Sequence, residues 1–245
     1  MYYVEYLRAS RAVIVGSIVI GVALALNLMI FFGGGVTLPD RPVSVPFMVV
    51  WAAAAVAASI FASILGRSLA KENDGHLPVA WTKPAPKSTH AAMKMLVDVA
   101  AIAIVFAVMS IATWAYLSIT GLTRFISVPS DTWLQLVRFA LAPLAFYGLV
   151  QCLTASVGKR SGTILGMMWV ALFVLSGLGT APLPQPYHSI FAFIDYANPL
   201  VYINFETDNS GSVITASLGA ATLGLALIAA VGAASAVFQW QRLET

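Results

Sequence analysis

Charged residues are scarce in this sequence. Only 9% of its 245 residues are Asp, Glu, Lys or Arg, whereas 60% are hydrophobic. Soluble domains carry about 25% charged residues because their surfaces face water. A chain with so little charge is therefore expected to have most of its outer surface in lipid. The net charge of +3 could suggest a nucleic-acid partner, but the positions of the charges along the chain argue against one.

Cysteine is nearly absent, and the few histidines are not paired. Cys152 is the single cysteine, which excludes an intramolecular disulfide and a cysteine metal site. It lies in an apolar run, where a small buried side chain is the simplest interpretation. The histidines, His76, His90 and His188, fall in loops or at the ends of predicted helices. We therefore expect no haem held between two facing histidines, and we predict no metal or cofactor in this chain.

The motifs of nucleotide hydrolysis and proteolysis are absent. Without G-x-x-x-x-G-K-[ST], the chain is not expected to hydrolyse nucleotides with a P-loop. Gly158-Lys159 comes nearest, but Leu153 stands where the first glycine belongs. The chain also lacks the H-E-x-x-H motif of one class of metalloprotease. Ser161 is interpreted as part of a turn between helices, so we predict no catalytic residue and no enzymatic activity.

Six windows without Asp, Glu, Lys or Arg are long enough to cross a membrane. A helix needs about 20 residues to span about 30 Å of hydrocarbon, and a helix satisfies its own backbone hydrogen bonds in lipid. The first apolar run is too long for a signal peptide and is interpreted as a retained span. We predict a single transmembrane domain over 1–245, all-α, with six spans: 12–32, 46–66, 95–119, 134–157, 162–179 and 213–238.

The distribution of Lys and Arg predicts the orientation. Ten of the 13 fall on the side that holds both termini, the 67–94 loop and the 158–161 turn, and the outer loops are acidic instead. Because Lys and Arg concentrate on the cytoplasmic side, we expect both termini in the cytoplasm and the chain in the plasma (bacterial inner) membrane. Residues 1–11, rich in Tyr and Arg, predict an amphipathic helix at the cytoplasmic interface; the alternative is a frayed terminus.

Two spans carry small residues at helical spacing. Ala54, Ala58, Ala62 and Gly66 recur every four positions, and Gly162-x-x-x-Gly166 opens the fifth span. Small residues let helix backbones approach closely in a membrane, where no hydrophobic effect drives association. Packing within the chain is favoured over a subunit interface for both stripes.

The longest cytoplasmic connection runs from Arg67 to Asp98. Leu77 and Trp81 are large apolar residues in this loop, and Lys and Glu residues surround them. Apolar residues with a charged rim indicate a docking surface for a soluble protein.

The same loop resembles that between the second and third spans of type 2 ABC transporter permeases. Permeases of this family are the membrane subunits of ATP-driven exporters, and the loop contains a coupling helix that sits in a groove of a separate ATPase. The pattern is Glu72-x-x-Gly75-x-Leu77, then Thr82-x-Pro84-x-x-Lys87. The resemblance implies an ATPase-coupling site made of Glu72, Gly75, Leu77, Trp81, Thr82, Pro84 and Lys87.

The resemblance extends to the layout of the whole chain. Residues 180–212 are similar to the family's outer re-entrant helical hairpin between spans five and six, since they contain three prolines and then Asn198-Pro199. The ten charge-free residues from Tyr196 to Phe205 are also too few for a span. One departure is that the family commonly has a glycine–small–leucine run and an arginine where this chain has His76 and Lys87.

The resemblance implies an exporter built from two permease subunits, identical or similar. ATP and Mg²⁺ would be bound by the partner ATPase. The path for an amphipathic or hydrophobic substrate would lie along the second and fifth spans, with Trp51, Met167, Met168 and Trp169 as candidate lining residues. Ordinary core packing or lipid contact is the alternative for each of the four.

Two other functions compete with an exporter subunit. One is a membrane scaffold that recruits a cytoplasmic partner without transport. The other is a secondary carrier, for which intramembrane charge would be the expected sign. No predicted span has a charge near its middle, and Asp98 is predicted to lie within a turn of the cytoplasmic end of the third span, so a carrier is disfavoured.

Overall fold

The fold is a bundle of long apolar helices. The computed structural model describes residues 45–46, 48–73, 87–119, 121, 123, 126–128, 132–180, 184–202 and 218–242. The predicted interfacial helix 1–11 and the predicted first span 12–32 lie outside these residues.

The described residues form seven α-helices, one 3₁₀ turn and one minimal strand pair. Val45–Pro46 (β1) pairs in parallel with Ile126–Ser127 (β2). The turn, Gly158–Arg160, joins two of the helices. The helices are α1 Met48–Leu65, α2 Ser68–Asn73, α3 Lys87–Ile119, α4 Thr132–Thr154, α5 Ser161–Thr180, α6 Tyr187–Asp195 and α7 Leu218–Arg242.

Five segments are long and apolar enough to cross a membrane. They correspond to the predicted spans two to six, so the prediction of a helical multi-pass membrane protein is confirmed for the described part of the chain. The turn at 158–161 was also predicted. Gly158 occupies it with a φ of +49°, a left-handed conformation that glycine adopts without a Cβ clash.

α3 begins earlier than predicted. It starts at Lys87, eight residues before the predicted boundary at 95, and contains 33 residues. At 1.5 Å per residue it is about 50 Å long, which exceeds the roughly 30 Å of a hydrocarbon core. The charged residues of α3, including Lys94, and its one histidine, His90, lie in its N-terminal part. The length in excess of a membrane span is therefore expected at that end.

α4 is the central helix, packed against α1 and α7. A Cβ on Gly232 of α7 would overlap the backbone of Gly148 in α4, and a Cβ on Gly148 would lie 2.8 Å from the carbonyl oxygen of Ala229. Such distances require both residues to be glycine, because a backbone cannot move aside as a side chain can. α4 and α7 are therefore in direct backbone contact.

The small-residue stripe of α1 packs inside the chain. Ala54, Ala58 and Ala62 are fully buried. A Cβ on Gly66 would lie 2.7 Å from the Cβ of Val150 in α4. The interpretation of this stripe as internal packing is confirmed. For Gly166 of the other stripe, an added Cβ would meet nothing within 4 Å among the described residues.

The outer surface of the bundle is apolar. Ile111 of α3, Val170 of α5 and Val231 of α7 are each more than 60% exposed. Large exposed apolar side chains on three long helices are what a lipid-facing surface requires, whereas in water they would be a liability. The exposed faces therefore support the membrane assignment independently of hydropathy.

Hydrogen bonds join the helices at the end of the bundle that holds most of its described basic residues. Arg67 bonds Ser161, the first residue of α5, and Gln239 near the end of α7 donates to the carbonyl oxygen of Cys152 at 2.7 Å. The pairing of β1 with β2 lies at the opposite end. The end that contains Arg67, Lys94, Lys159, Arg160 and Arg242 is called the basic end below.

Candidate functional site

The predicted coupling loop is described only at its base. Glu72 lies in α2, and Lys87 is the first residue of α3. The other predicted coupling residues lie outside the described residues: Gly75, Leu77, Trp81, Thr82 and Pro84. α2 and the N-terminal part of α3 lead into and out of the 74–86 segment at the basic end.

A hydrogen bond joins the two sides of this base. Ser68 Oγ, at the start of α2, donates to Asp98 Oδ2 of α3 over 2.6 Å. Asp98 is only 5% exposed. A carboxylate taken out of water is costly unless hydrogen-bond donors replace the lost water, so the Ser68 hydroxyl compensates for part of that cost.

α4 supplies a further donor to the same carboxylate. Tyr147 Oη donates to Asp98 Oδ2 at 2.9 Å, and Gln151 Nε2 donates to Tyr147 Oη at 2.8 Å. Tyr147 and Gln151 are four residues apart and therefore lie on one face of the helix. Both are buried. We call Ser68, Asp98, Tyr147 and Gln151 the Asp98 network.

The start of α3 sets the depth of Asp98. Because α3 begins at Lys87, Asp98 is eleven residues, or about 16 Å, from the helix start. About 20 Å of α3 exceeds a hydrocarbon core, so Asp98 is expected near the N-terminal boundary of the span. The sequence analysis missed Ser68 and Tyr147 altogether. The available signal was a Tyr-x-x-x-Gln pair on an apolar helix, which needs a polar partner on a facing helix.

A second set of contacts ties the basic end together. The Nε and Nη2 atoms of Arg67 each lie 3.2 Å from Ser161 Oγ and donate to it. Thr154 Oγ1 approaches the carbonyl oxygen of Gly66 at 3.4 Å while donating to its own helix. The turn between α1 and α2 is thus fixed to the end of α4 and to the start of α5.

Three of the four predicted substrate-path residues lie in one packed cluster. Met168 is buried, and Trp51 and Trp169 pack against the same core. The ring of Trp169 stacks on Phe146 of α4, with centroids 4.9 Å apart and planes 12° apart. Met167 is instead 59% exposed on the surface of α5. The structure therefore brings Trp51, Met168 and Trp169 together and leaves Met167 outside the cluster.

The aromatic cluster and the Asp98 network share α4. Phe146 contacts Trp169, and the next residue, Tyr147, bonds Asp98. The base of the predicted coupling loop and Trp169 of the predicted substrate path are thus connected through adjacent residues of α4.

The segment after α6 packs between α5 and α7. Asn198, 1% exposed, donates from Nδ2 to the carbonyl oxygen of Leu172 at 3.1 Å. The ring of Tyr202 lies where a Cβ on Gly224 would be, 2.8 Å from its Cζ. Leu172 is eight residues before the end of α5, which corresponds to about 12 Å along the helix. The segment therefore extends into the bundle, past the ends of α5 and α7 that lie opposite the basic end.

Among the described residues, no group of three or more His, Cys, Asp or Glu side chains could hold a metal ion.

No family model matches this chain, and neither the curated proteins nor the solved structures contain a match to it.

Proposed function

We propose that this chain is the membrane subunit of a type 2 ABC exporter. The observation that carries the proposal is the length of α3, about 50 Å, which exceeds a hydrocarbon core of about 30 Å and has its charged residues in the N-terminal part. In this proposal α2 and α3 present the 74–86 segment, whose sequence resembles the family's coupling loop, to the cytoplasm. A separate ATPase would bind that segment and supply the energy, since this chain has no P-loop.

The proposed topology has six spans with both termini in the cytoplasm. The first span is 12–32, and the chain sits in the plasma membrane. Residues 180–212 form the outer re-entrant hairpin. The depth at which Asn198 and Tyr202 pack between α5 and α7 supports this element, because an outer loop resting on the surface would not reach Leu172.

The substrate path in this proposal lies between two permease subunits. An amphipathic or hydrophobic substrate would contact the exposed surface of α5, where Met167 and Phe173 are accessible. Trp51, Met168 and Trp169 would form the wall behind that surface. Their packing against α4 gives the wall a connection to the coupling loop. ATP and Mg²⁺ would be bound by the partner ATPase.

Copurification tests the proposal directly. We expect the full chain, extracted in mild detergent from its native membrane, to retain a protein that azido-ATP photolabels. The change Trp81→Ala should reduce the retained ATPase about tenfold, which corresponds to about 1.4 kcal/mol, a typical loss for an aromatic anchor at an interface. Quantification of the photolabelled band measures the effect.

Trp133→Ala is the matched control for Trp81→Ala. Trp133 is likewise a tryptophan. It is 74% exposed and lies at the N-terminus of α4, opposite the basic end. It should retain the ATPase at the wild-type level. Recovery of no nucleotide-binding protein with the wild-type chain would refute the exporter assignment.

A carrier driven by a proton or cation gradient is the second candidate, and the burial of Asp98 favours it. Ionisable residues inside membrane helices commonly mark ion pathways. Three ionisable residues lie near Asp98. Tyr147 bonds it from α4, and Lys94 lies one turn before it on α3. Arg67, which precedes α2, bonds Ser161.

Vesicle uptake of the amphipathic dye rhodamine 6G separates the two candidates. For an exporter subunit, we expect no uptake from a proton or sodium gradient when the ATPase is absent, and ATP-dependent uptake when it is present. The reason is that the exporter draws its energy from nucleotide alone. Gradient-driven uptake that Asp98→Asn abolishes would replace the exporter with the carrier.

A further inference from the structure

We propose that the Asp98 network is the link through which the base of the coupling loop moves α4 and, through Phe146, the aromatic cluster at Trp169. The inference rests on the proposed exporter function and adds residues that the coupling-loop resemblance does not contain. Asp98 and Tyr147 act in it as positioning residues, because both are buried inside the bundle and act through the residues they bond.

The first step of the link is the short bond between Ser68 and Asp98. It joins the helix that enters the loop to the helix that leaves it, at 2.6 Å. A hydroxyl at that distance from a carboxylate has the geometry of a strong, charge-assisted hydrogen bond. Any displacement of α2 by a protein bound to the loop is therefore transferred to Asp98.

The second step runs from Asp98 to α4. Tyr147 donates to the same oxygen, Oδ2, that accepts from Ser68. Because both donors converge on one atom in a buried site, Ser68 cannot move without disturbing the Tyr147 bond. Gln151, fully buried behind Tyr147, donates to its hydroxyl and fixes the direction of the phenol.

The third step is the movement of α4 itself. Pro143 lies inside the helix and removes one backbone hydrogen bond there, which makes this position the easiest place for the helix to bend. Phe146 and Tyr147 follow it on the half of α4 that leads to the basic end. A displacement of Tyr147 relative to the outer half of α4 would shift Phe146, and Phe146 stacks on Trp169.

Cys152 provides a native reporter for this movement. It is the single cysteine of the chain and follows Gln151 on α4. Its side chain is half-buried, whereas the sequence predicted a buried one. Its Sγ lies 3.3 Å from Ser235 Oγ of α7. A movement of α4 against α7 therefore changes the access of a thiol reagent to Cys152 without any engineered residue.

The experiment measures the rate at which N-ethylmaleimide labels Cys152 in membranes that contain the chain and its ATPase. In the wild type, we expect ATP to change the rate at least threefold relative to nucleotide-free membranes. Asp98→Asn and Tyr147→Phe should each reduce that change below 1.5-fold while the ATPase is still retained. Asp98→Glu, which keeps the carboxylate, should restore part of the response.

Two matched controls remove similar groups that lie outside the network. Tyr202→Phe deletes a hydroxyl that bonds the carbonyl oxygen of Tyr196 at the opposite end. Ser63→Ala deletes a hydroxyl that bonds the carbonyl oxygen of Ser59 in its own helix. Both should keep the wild-type response to ATP. The double variant of Asp98 and Tyr147 should respond no less than either single variant, because both changes break one interaction.

The possible failures are distinguishable. A full ATP response in Asp98→Asn and Tyr147→Phe would overturn the link and leave the exporter assignment intact. Loss of the ATPase from both variants, with fast labelling regardless of nucleotide, would also overturn it, since a structural role would then account for the effect. A wild-type chain that retains no ATPase and shows no nucleotide response would overturn the proposed function itself.

Discussion

Gly232→Ala is expected to lower the apparent melting temperature of the detergent-solubilised chain by at least 6 °C. A Cβ at this position would overlap the backbone of Gly148, and relief would require α4 and α7 to separate. Overpacking in a core costs about 1–3 kcal/mol, and we expect the upper part of that range because backbone must move. For a chain of this size, 1 kcal/mol corresponds to about 2–4 °C.

Gly166→Ala is the control for Gly232→Ala. It adds the same Cβ to another helix, but at a position where nothing described lies within 4 Å. Alanine is favoured over glycine inside a helix by up to about 1 kcal/mol, so Gly166→Ala should leave the melting temperature unchanged or raise it. Equal melting temperatures for the two variants, measured by thermal shift and size-exclusion chromatography, would contradict the close packing of α4 on α7.

Tyr147→Phe is expected to destabilise the chain by about 1.5–3 kcal/mol, the range for a hydrogen bond to a charged group. The change removes only the hydroxyl, so the packing of the ring is preserved. It takes a donor from Asp98 Oδ2 in a site where water cannot easily replace it. Thermal unfolding in detergent, with Tyr202→Phe measured in parallel, gives the difference.

Gln151→Leu should behave differently from Tyr147→Phe. Gln151 donates to Tyr147, while its own Oε1 has no hydrogen-bond partner among the described residues. Leucine of similar size removes that unsatisfied acceptor and leaves the Tyr147–Asp98 bond intact, so we expect a change within about 1 kcal/mol of zero. A larger loss for Gln151→Leu than for Tyr147→Phe would show that Asp98 is not the centre of the network.

The Asp98 network contributes to the stability of the fold and also to the proposed transfer of movement from the loop to α4. A buried carboxylate that receives donors from two other helices fixes the relative positions of α2, α3 and α4 at the basic end. The same contacts would be the first to change if a protein pulled on the 74–86 segment. Stability measurements and the Cys152 labelling therefore test different consequences of the same hydrogen bonds.

The sequence alone does not determine which of the candidate path residues are buried. Met167 and Met168 are neighbours in sequence and equivalent in composition, yet one is exposed and the other buried. Successive residues point about 100° apart on a helix, so the rotation of α5 about its axis decides which of them meets the core. α5 is apolar on all sides, and its sequence alone does not fix that rotation.

The sequence by itself determined that this is a helical membrane protein, where spans two to six lie, and which charges share an end of the bundle. Those properties depend on hydrophobicity within windows of about 20 residues, which is local information. Only the tertiary structure decided that α3 continues unbroken from Lys87 and that Asp98 meets Ser68 and Tyr147. Asp98 and Tyr147 are 49 residues apart, and a contact over that separation depends on how two helices are rotated and aligned against each other.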